Sequence, residues 1–269
     1  MLSVGTYLIS KDIAETLERK LDFSLDQKIK TEIKILEDEF LTKFWPYIPQ
    51  DINQVSVNCQ DISTTLEYLT KRNNLPVISL DRVYITNANA YLEVTRQTNP
   101  KTGIITLAPR PNTPPLECQI SKIASQYEKI ILADVGAFGG DTILEIVSKL
   151  SQEKIVIKEI YLGFSTQEAT NKIKQITPCT PIQTYNFYEW IELRDLFGID
   201  GRQVESKTKE KTYIPYWENL GNWASIPQKN IEPVSQLCKQ YYHLLVQKLI
   251  NNGFNASTIG TQVPYNGEK

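Results

Sequence analysis

ILADVGAFGGDTILEI, running from Ile131 to Ile146, decides the fold of this chain. The apolar run Ile131–Ala133 meets an acid at Asp134, and Gly136, Gly139 and Gly140 then open a turn. Asp141 and Thr142 begin a segment in which Ile143, Leu144, Ile146 and Val147 recur at helical spacing. A buried strand, a glycine turn and a helix are the repeating unit of an open parallel sheet. In such sheets ligands collect at the carboxyl ends of the strands, where the next helix presents unpaired N–H groups. Glycines there permit positive φ and let the backbone approach an anion closely, while Thr142 adds a hydroxyl. A plain turn capped by Asp141 requires fewer glycines than these three.

Working outward, the same alternation continues on both sides. CQISKIASQYE (118–128) reads as a helix, EKIILADVG (128–136) as a buried strand, DTILEIVSKLSQ (141–152) as a helix, KIVIKEIYLGF (154–164) as a strand and TQEATNKIKQI (166–176) as a helix. Continuous apolar strands between helices predict an α/β fold with a mostly parallel sheet covered by helices. Upstream, NLPVISLDRVYIT, AYLEVTRQ and GIITLAPRP are short and β-branched, with polar breaks NAN and TNPKTG between them, and read as three strands joined by turns or hairpins. Ser24 and Gln27 have the spacing of a capping box, and Ile29, Ile33, Leu36, Phe40 and Phe44 then fall on one helical face up to the break at WPYIP. DISTTLEYLTKRNN predicts a second helix with Asp61 as its cap, and a last helix is expected over Glu232–Asn251. The expected organisation is a helical N-terminal element over 1–73, an α/β core with a C-terminal helix over 74–253, an irregular aromatic-rich stretch within it beyond Thr177, and a loose tail over 254–269.

Bulk properties narrow the function classes. With 269 residues, 41% hydrophobic and 22% charged, the chain has the composition of a soluble globular protein. A formal charge of −2 lacks the basic excess that phosphate-backbone binding uses, so no nucleic-acid partner is indicated. No apolar run has the length of a membrane span and MLSVGTYLISKDIAE does not resemble a signal peptide, so no membrane partner and a cytoplasmic location are expected. The four cysteines, Cys59, Cys118, Cys179 and Cys238, form no CxxC pair and are expected as buried thiols. A single histidine, His243, sits at helical spacing in VSQLCKQYYHLLVQKLI, which leaves little room for a His base or a His-rich metal site. A homo-oligomer is left open.

The missing GK[ST] excludes a P-loop, and G-x-x-G-G does not match the G-x-G-x-x-G of nicotinamide-binding units. Two other families carry a related turn. IILADVGAFGGDT resembles the diphosphoribose-binding signature of the type I phosphoribosyltransferases, an apolar strand followed by D-[DE]-x-x-x-T-G-x-T. Asp134 matches the first acid, Gly140 the glycine and Thr142 the closing threonine, while Val135 stands in place of the second acid and Gly139 in place of a threonine. The resemblance covers roughly Leu75–Gln175 and includes the β-rich stretch that precedes the signature in that family. It implies a phosphoribosyltransferase-like fold and a small phosphoribosyl or nucleotide ligand. Asp134 would lie on the ribose as the candidate catalytic carboxylate, with Gly136, Gly139, Gly140, Asp141 and Thr142 around the phosphate. It also implies Mg2+, and transfer of the ribosyl group to a base or to pyrophosphate. The two departures put binding ahead of turnover, and a catalytically silent sensor or partner-binding protein on the same fold is a third reading. DVGAFGGDT is also similar to the D-x-G-A-x-x-G-D-T opening of one group of S-adenosylmethionine methyltransferases. That motif normally opens its sheet, whereas here about 130 residues precede it, and the acid expected to end the next strand has its nearest counterpart in Glu159, inside the strand.

Arg82, Arg96 and Arg110 are candidate cations for a leaving group, with Asp81 next to Arg82 as a further candidate. In WIELRDLFGIDGR (190–202), Trp190 or Phe197 could stack on a base and Arg194 or Arg202 could bind phosphate. A short amphipathic helix packed on the core and ended by Gly198 accounts better for the same residues. Trp217 and Trp223 are read as core or interface.

Overall fold

The computed structural model describes residues 5–98, 105–110, 113–199, 202–205, 211–256 and 259. In chain order the elements are β1 (Thr6–Lys11), α1 (Ile13–Leu21), α2 (Gln27–Phe44), β2 (Asn53–Asn58), α3 (Cys59–Thr70), β3 (Val77–Ser79), β4 (Ala90–Tyr91), β5 (Val94–Thr98), β6 (Ile105–Pro109) and α4 (Leu116–Ala124). There follow β7 (Lys129–Ala137), α5 (Asp141–Gln152), β8 (Val156–Ser165), α6 (Gln167–Lys174), β9 (Cys179–Thr184), β10 (Phe187–Glu192), α7 (Leu193–Leu196), β11 (Arg202–Glu205), β12 (Lys211–Ile214), α8 (Leu220–Trp223) and α9 (Ile231–Asn251). The described residues divide into two compact units. One is drawn from Met1–Asn58, Arg96–Thr106 and Tyr188–Lys269, the other from Cys59–Thr95 and Leu107–Phe187.

The second unit holds the five-stranded sheet β4-β3-β7-β8-β9, in which every neighbouring pair is parallel. Its apolar face is built from Ile130, Leu132, Ile160 and Leu162 under Ile143 and Ile146 of α5. Each such side chain removed from water contributes about 1.5–3 kcal/mol. On the other face α3 comes against β8 at Gly163. A Cβ there would stand 2.6 Å from the Val135 carbonyl oxygen and 2.8 Å from Ile62 Cγ2, so only glycine allows the layers to close this far. Near the amino end of β8, Glu159 accepts hydrogen bonds from Thr180 Oγ1 (2.9 Å), the Tyr161 hydroxyl (2.8 Å) and Asn73 Nδ2 (3.2 Å). Burial, and then the neighbouring Glu159 carboxylate, push the Tyr161 phenol up to about 12.

The α/β architecture with mostly parallel strands flanked by helices is thus observed, and several element readings are corrected. β3 and β4 pair in parallel, with Ile78 opposite Ala90, so they are not a hairpin. AYLEVTRQ is two strands, because the chain leaves one sheet after Tyr91 and joins another at Val94. Gln119 marks that corner: its Oε1 accepts from the Glu93 N–H at 2.8 Å. α2 is capped by Asp26, whose carboxylate accepts from Ile29 N at 2.8 Å, in place of the capping box from Ser24. Asp61 lies in the first turn of α3, which starts at Cys59.

The first unit contains two strands that the pattern of its N-terminal segment did not suggest. β1 and β2 pair in parallel from Thr6 opposite Asn53 to Lys11 opposite Asn58, in a sheet of order β10-β1-β2. Its core is aromatic: Phe40 lies 5.6 Å from Phe44, 5.0 Å from Phe197 and 5.3 Å from Tyr241. β11 runs antiparallel to β12 and parallel to β5, in a sheet of order β12-β11-β5-β6. Of the expected loose tail 254–269 only 254–256 and 259 are among the described residues: there Ile259 is buried and Phe254 lies 5.4 Å from Phe23. No helix among the described residues is long and apolar enough to cross a membrane.

Candidate functional site

Strand order points to the candidate site. The chain passes from β3 outward to β4, returns to the far side of β3 with β7, and then proceeds through β8 to β9. The order therefore reverses between β3 and β7, and in open parallel sheets such a reversal is where ligands bind, beyond the carboxyl ends of the strands. The glycine turn following β7 sits there.

The turn is shorter than the sequence suggests. β7 runs on to Ala137, so Asp134 and Gly136 are inside the strand, opposite Leu162 and Phe164 of β8, and only Phe138–Gly140 form the bend. Of the three glycines, only Gly140 has positive φ (+85°), and it is the N-cap of α5. Gly140 has no side chain to cap the helix, which leaves the first-turn N–H groups of Asp141, Thr142 and Ile143 without a side-chain cap. Thr142 is half-buried and Asp141 exposed. A Cβ on Gly139 would stand 3.1 Å from Asp141 Oδ2, so this carboxylate folds back over the bend. Asp134 is half-buried, and its Oδ1 accepts from the Val135 N–H at 2.8 Å.

Thr166, just beyond β8, ties the turn down. Its Oγ1 donates to the Phe138 carbonyl at 2.8 Å and accepts from Ala169 N at 2.9 Å, which also caps α6, while its N–H donates to the Ala137 carbonyl at 3.2 Å. The carboxyl end of β8 is Ser165. Glu159 lies opposite Ile131, at the other end of the strand from the turn. Sequence reasoning missed Thr166, although a threonine directly before a helical run is a cap signal.

The remaining candidates divide differently. Asp81 follows β3 at the strand-order reversal, but it is buried and its Oδ1 accepts from Val83 N (2.6 Å) and Tyr84 N (2.8 Å), so it shapes its own turn. Arg82 and Arg110 both pair with Glu93, and Arg82 lies over the Tyr91 ring at 4.3 Å. Arg96 is on β5, in the other unit. Arg194 is a core cation of that unit. Its backbone N–H donates to Asp12 Oδ1 at 3.1 Å, and its guanidinium approaches Asp12 Oδ2 (3.3 Å) and Glu192 (2.6 Å). Phe197 is fully buried, Trp190 donates to Ser10 Oγ at 3.2 Å, and Trp217 and Trp223 are buried, so these aromatics are packing. The Arg202 side chain lies outside what is described. His243 is exposed on α9, and of the four free cysteines Cys59, Cys179 and Cys238 are buried while Cys118 is exposed.

Among the described residues no group of three or more His, Cys, Asp or Glu side chains could hold a metal ion. Mg2+ needs fewer protein ligands when phosphate oxygens and waters complete its octahedron. Asp134 and the folded-back Asp141 are the carboxylates at the turn that could meet one.

Fold and turn together define an α/β protein with a candidate anion-binding turn at its strand-order reversal. No family model matches the sequence, and neither does any curated protein. Among solved structures the chain is similar to TT1426 from Thermus thermophilus, at 11% identity and a TM-score of 0.34 over 49% of this chain and 85% of that one. It is similar to adenine phosphoribosyltransferase from Thermoanaerobacter pseudethanolicus at 10% identity and a TM-score of 0.33, over 47% and 79% of the two chains. Orotate phosphoribosyltransferase from Aeropyrum pernix gives 11% identity and a TM-score of 0.31 over 47% and 69%.

Proposed function

We propose that this chain binds a phosphoribosyl compound at the turn after β7. The observation that carries the reading is the position of a side-chain-free helix start, Gly140, at the carboxyl edge where strand order reverses. The N–H groups of Asp141, Thr142 and Ile143 and the Thr142 hydroxyl receive the phosphate oxygens, which the positive end of the α5 dipole also attracts. Asp134, lower on the strand, meets the ribose hydroxyls as an acceptor. The Asp141 carboxylate would repel a phosphate and so faces a cation or a hydroxyl instead. Mg2+, where it accompanies a diphosphate ligand, neutralises charge there.

Transfer of the ribosyl group to or from a nucleobase is the finer form of this reading. Val135 favours the silent form, binding without turnover: it is buried, and its neighbour across the strands is Gly163, beneath α3. A methyltransferase reading is disfavoured by Glu159, whose carboxylate is engaged in three hydrogen bonds at the amino half of β8.

Calorimetric titration with phosphoribosyl pyrophosphate plus Mg2+, and separately with S-adenosylmethionine, tests the proposal. Saturable binding of the first is expected. Thr142→Ala should weaken it by about 1 kcal/mol or more, roughly fivefold or more in Kd, through loss of one hydroxyl contact to a charged group. Binding of S-adenosylmethionine alone, or of neither compound, overturns it.

A further inference from the structure

An edge strand either blocks pairing with another chain or invites it. β2 ends the sheet β10-β1-β2, and its strand neighbour among the described residues is β1. The Asn53 N–H donates to the Gly5 carbonyl at 2.9 Å. Backbone groups alternate sides along a strand, so Asn53, Val55 and Val57 turn theirs to β1, while the N–H and C=O of Gln54 and Ser56 point out of the sheet. Gln54 and Ser56 are both exposed. The other described edges carry obstacles to pairing. β9 contains Pro181, β6 ends at Pro109, β10 contains Glu189 and Glu192, β12 starts at Lys211, and β4 is two residues long. NQVSVN, by contrast, has six residues and neither a proline nor a charge.

The same six residues are complementary to themselves. Residues directly opposite in an antiparallel pair share a face, so NQVSVN can meet its own copy only about a residue, not between two. Centred on Ser56, the two Ser56 residues exchange both backbone hydrogen bonds on a two-fold axis. Val55 then lies opposite Val57 of the second copy, and Val57 opposite its Val55, so the half-buried valines cover one another on one face. Centring on Val55 would set Val57 against an asparagine. We propose that β2 is the contact through which two copies of this chain associate, antiparallel about Ser56, joining their three-stranded sheets into one. A single strand pair is smaller than a permanent interface, so this dimer forms reversibly with concentration. It is independent of what the turn after β7 binds.

Sedimentation equilibrium of the full chain from micromolar to millimolar concentration tests it, and a monomer–dimer equilibrium is expected. Ser56→Pro removes an N–H that points away from β1, which an edge strand tolerates, and should weaken association about tenfold or more. Ser56→Lys sets two ammonium groups opposite each other across the axis and should also weaken it, less so at high salt. Far-UV circular dichroism and tryptophan fluorescence check that each variant keeps its fold. Cross-linking reads the register, in a Cys118→Ser background because Cys118 is exposed. Ser56→Cys places two thiols on residues about 5.5 Å apart at Cα, within disulfide reach, and should give a covalent dimer on oxidation. Val55→Cys places them two residues out of line, beyond the roughly 7 Å limit, and should not. A wild type that stays monomeric to millimolar concentration, undiminished association of Ser56→Pro and Ser56→Lys, or Val55→Cys cross-linking as fast as Ser56→Cys overturns the proposal.

Discussion

Glu37→Gln offers a test of the packing in the first unit whose size follows from the structure. Glu37 is 6% exposed on α2, and its Oε1 accepts from the Ile13 N–H at 3.1 Å, where α1 begins. Burial pushes its carboxyl up to about 8. Glu15 and Asp38 act in the same direction, while the Ile13 N–H and Lys11 oppose it. The unfolded chain releases that proton near 4.5, so between there and about 8 the folded form carries one proton more. Stability is then fully present below the unfolded value and is lost as pH rises, at about 1.4 kcal/mol per pH unit. Across the window this amounts to roughly 4–5 kcal/mol, of the same order as the whole stability of a small domain. The glutamine side chain keeps the acceptor for Ile13 and has nothing to titrate. Glu37→Gln should therefore lie within about 1 kcal/mol of the wild type at pH 5 and exceed it by several kcal/mol at pH 9.

Urea titrations between pH 5 and pH 9 provide the assay, and tryptophan fluorescence is the selective probe. All four tryptophans, Trp45, Trp190, Trp217 and Trp223, belong to the first unit, so the signal reports that unit alone. Some slope should survive in the variant, because burial also pushes the carboxyl of Asp12 up, against the pull of Arg194. Identical pH slopes for variant and wild type, or a wild type whose midpoint rises from pH 5 to pH 8, would refute the reasoning.

Two further perturbations address the sheet that carries the turn. Gly163→Ala puts a methyl group 2.6 Å from the Val135 carbonyl oxygen, a backbone atom that cannot swing away, and should destabilise the second unit by about 1–3 kcal/mol. A fall in the far-UV melting midpoint with the tryptophan transition unmoved is the expected pattern, and an unchanged melt refutes it. Thr166→Val removes one hydroxyl that both caps α6 and holds the Phe138 carbonyl, at a cost of about 1–2 kcal/mol, and Thr166→Ser should restore it. Faster hydrogen exchange at Ala169 in the valine variant reads the lost cap directly, and unchanged exchange there counts against it.

Legibility in the sequence followed the range of the forces involved. β7, α5, β8 and α6 could be read because each is specified by its own periodicity: Ile130–Ala133 as a buried run, then Ile143, Ile146, Val147 and Leu150 on one helical face. β1 could not, because TYLISK has no turn residue to mark its end and the chain passes almost directly into α1. Its strand character comes from β2, more than 40 residues away. AYLEVTRQ read as one strand because nothing local reveals Gln119, whose side chain takes up the Glu93 N–H at the corner. The arginines show the same limit. Arg82 and Arg110 look available in sequence, and only the fold brings both onto Glu93.

The turn itself was legible as a glycine bend between a buried strand and a helix and was misjudged in its extent, for a reason that bears on the chemistry proposed for it. Successive strand residues point to opposite faces, so Asp134 shares a face with Leu132 while Val135 turns to the side on which α3 meets Gly163. An acid at 135 would have to be buried among apolar neighbours unless a ligand hydroxyl or a cation met it, and burying an unpaired carboxylate costs several kcal/mol. A valine there removes that cost and with it one of the two groups that would hold a ribose. What is left is a single carboxylate on the strand and a helix start at Gly140 without a side-chain cap, an arrangement that, for the ligand proposed above, would draw most of its affinity from the phosphate end.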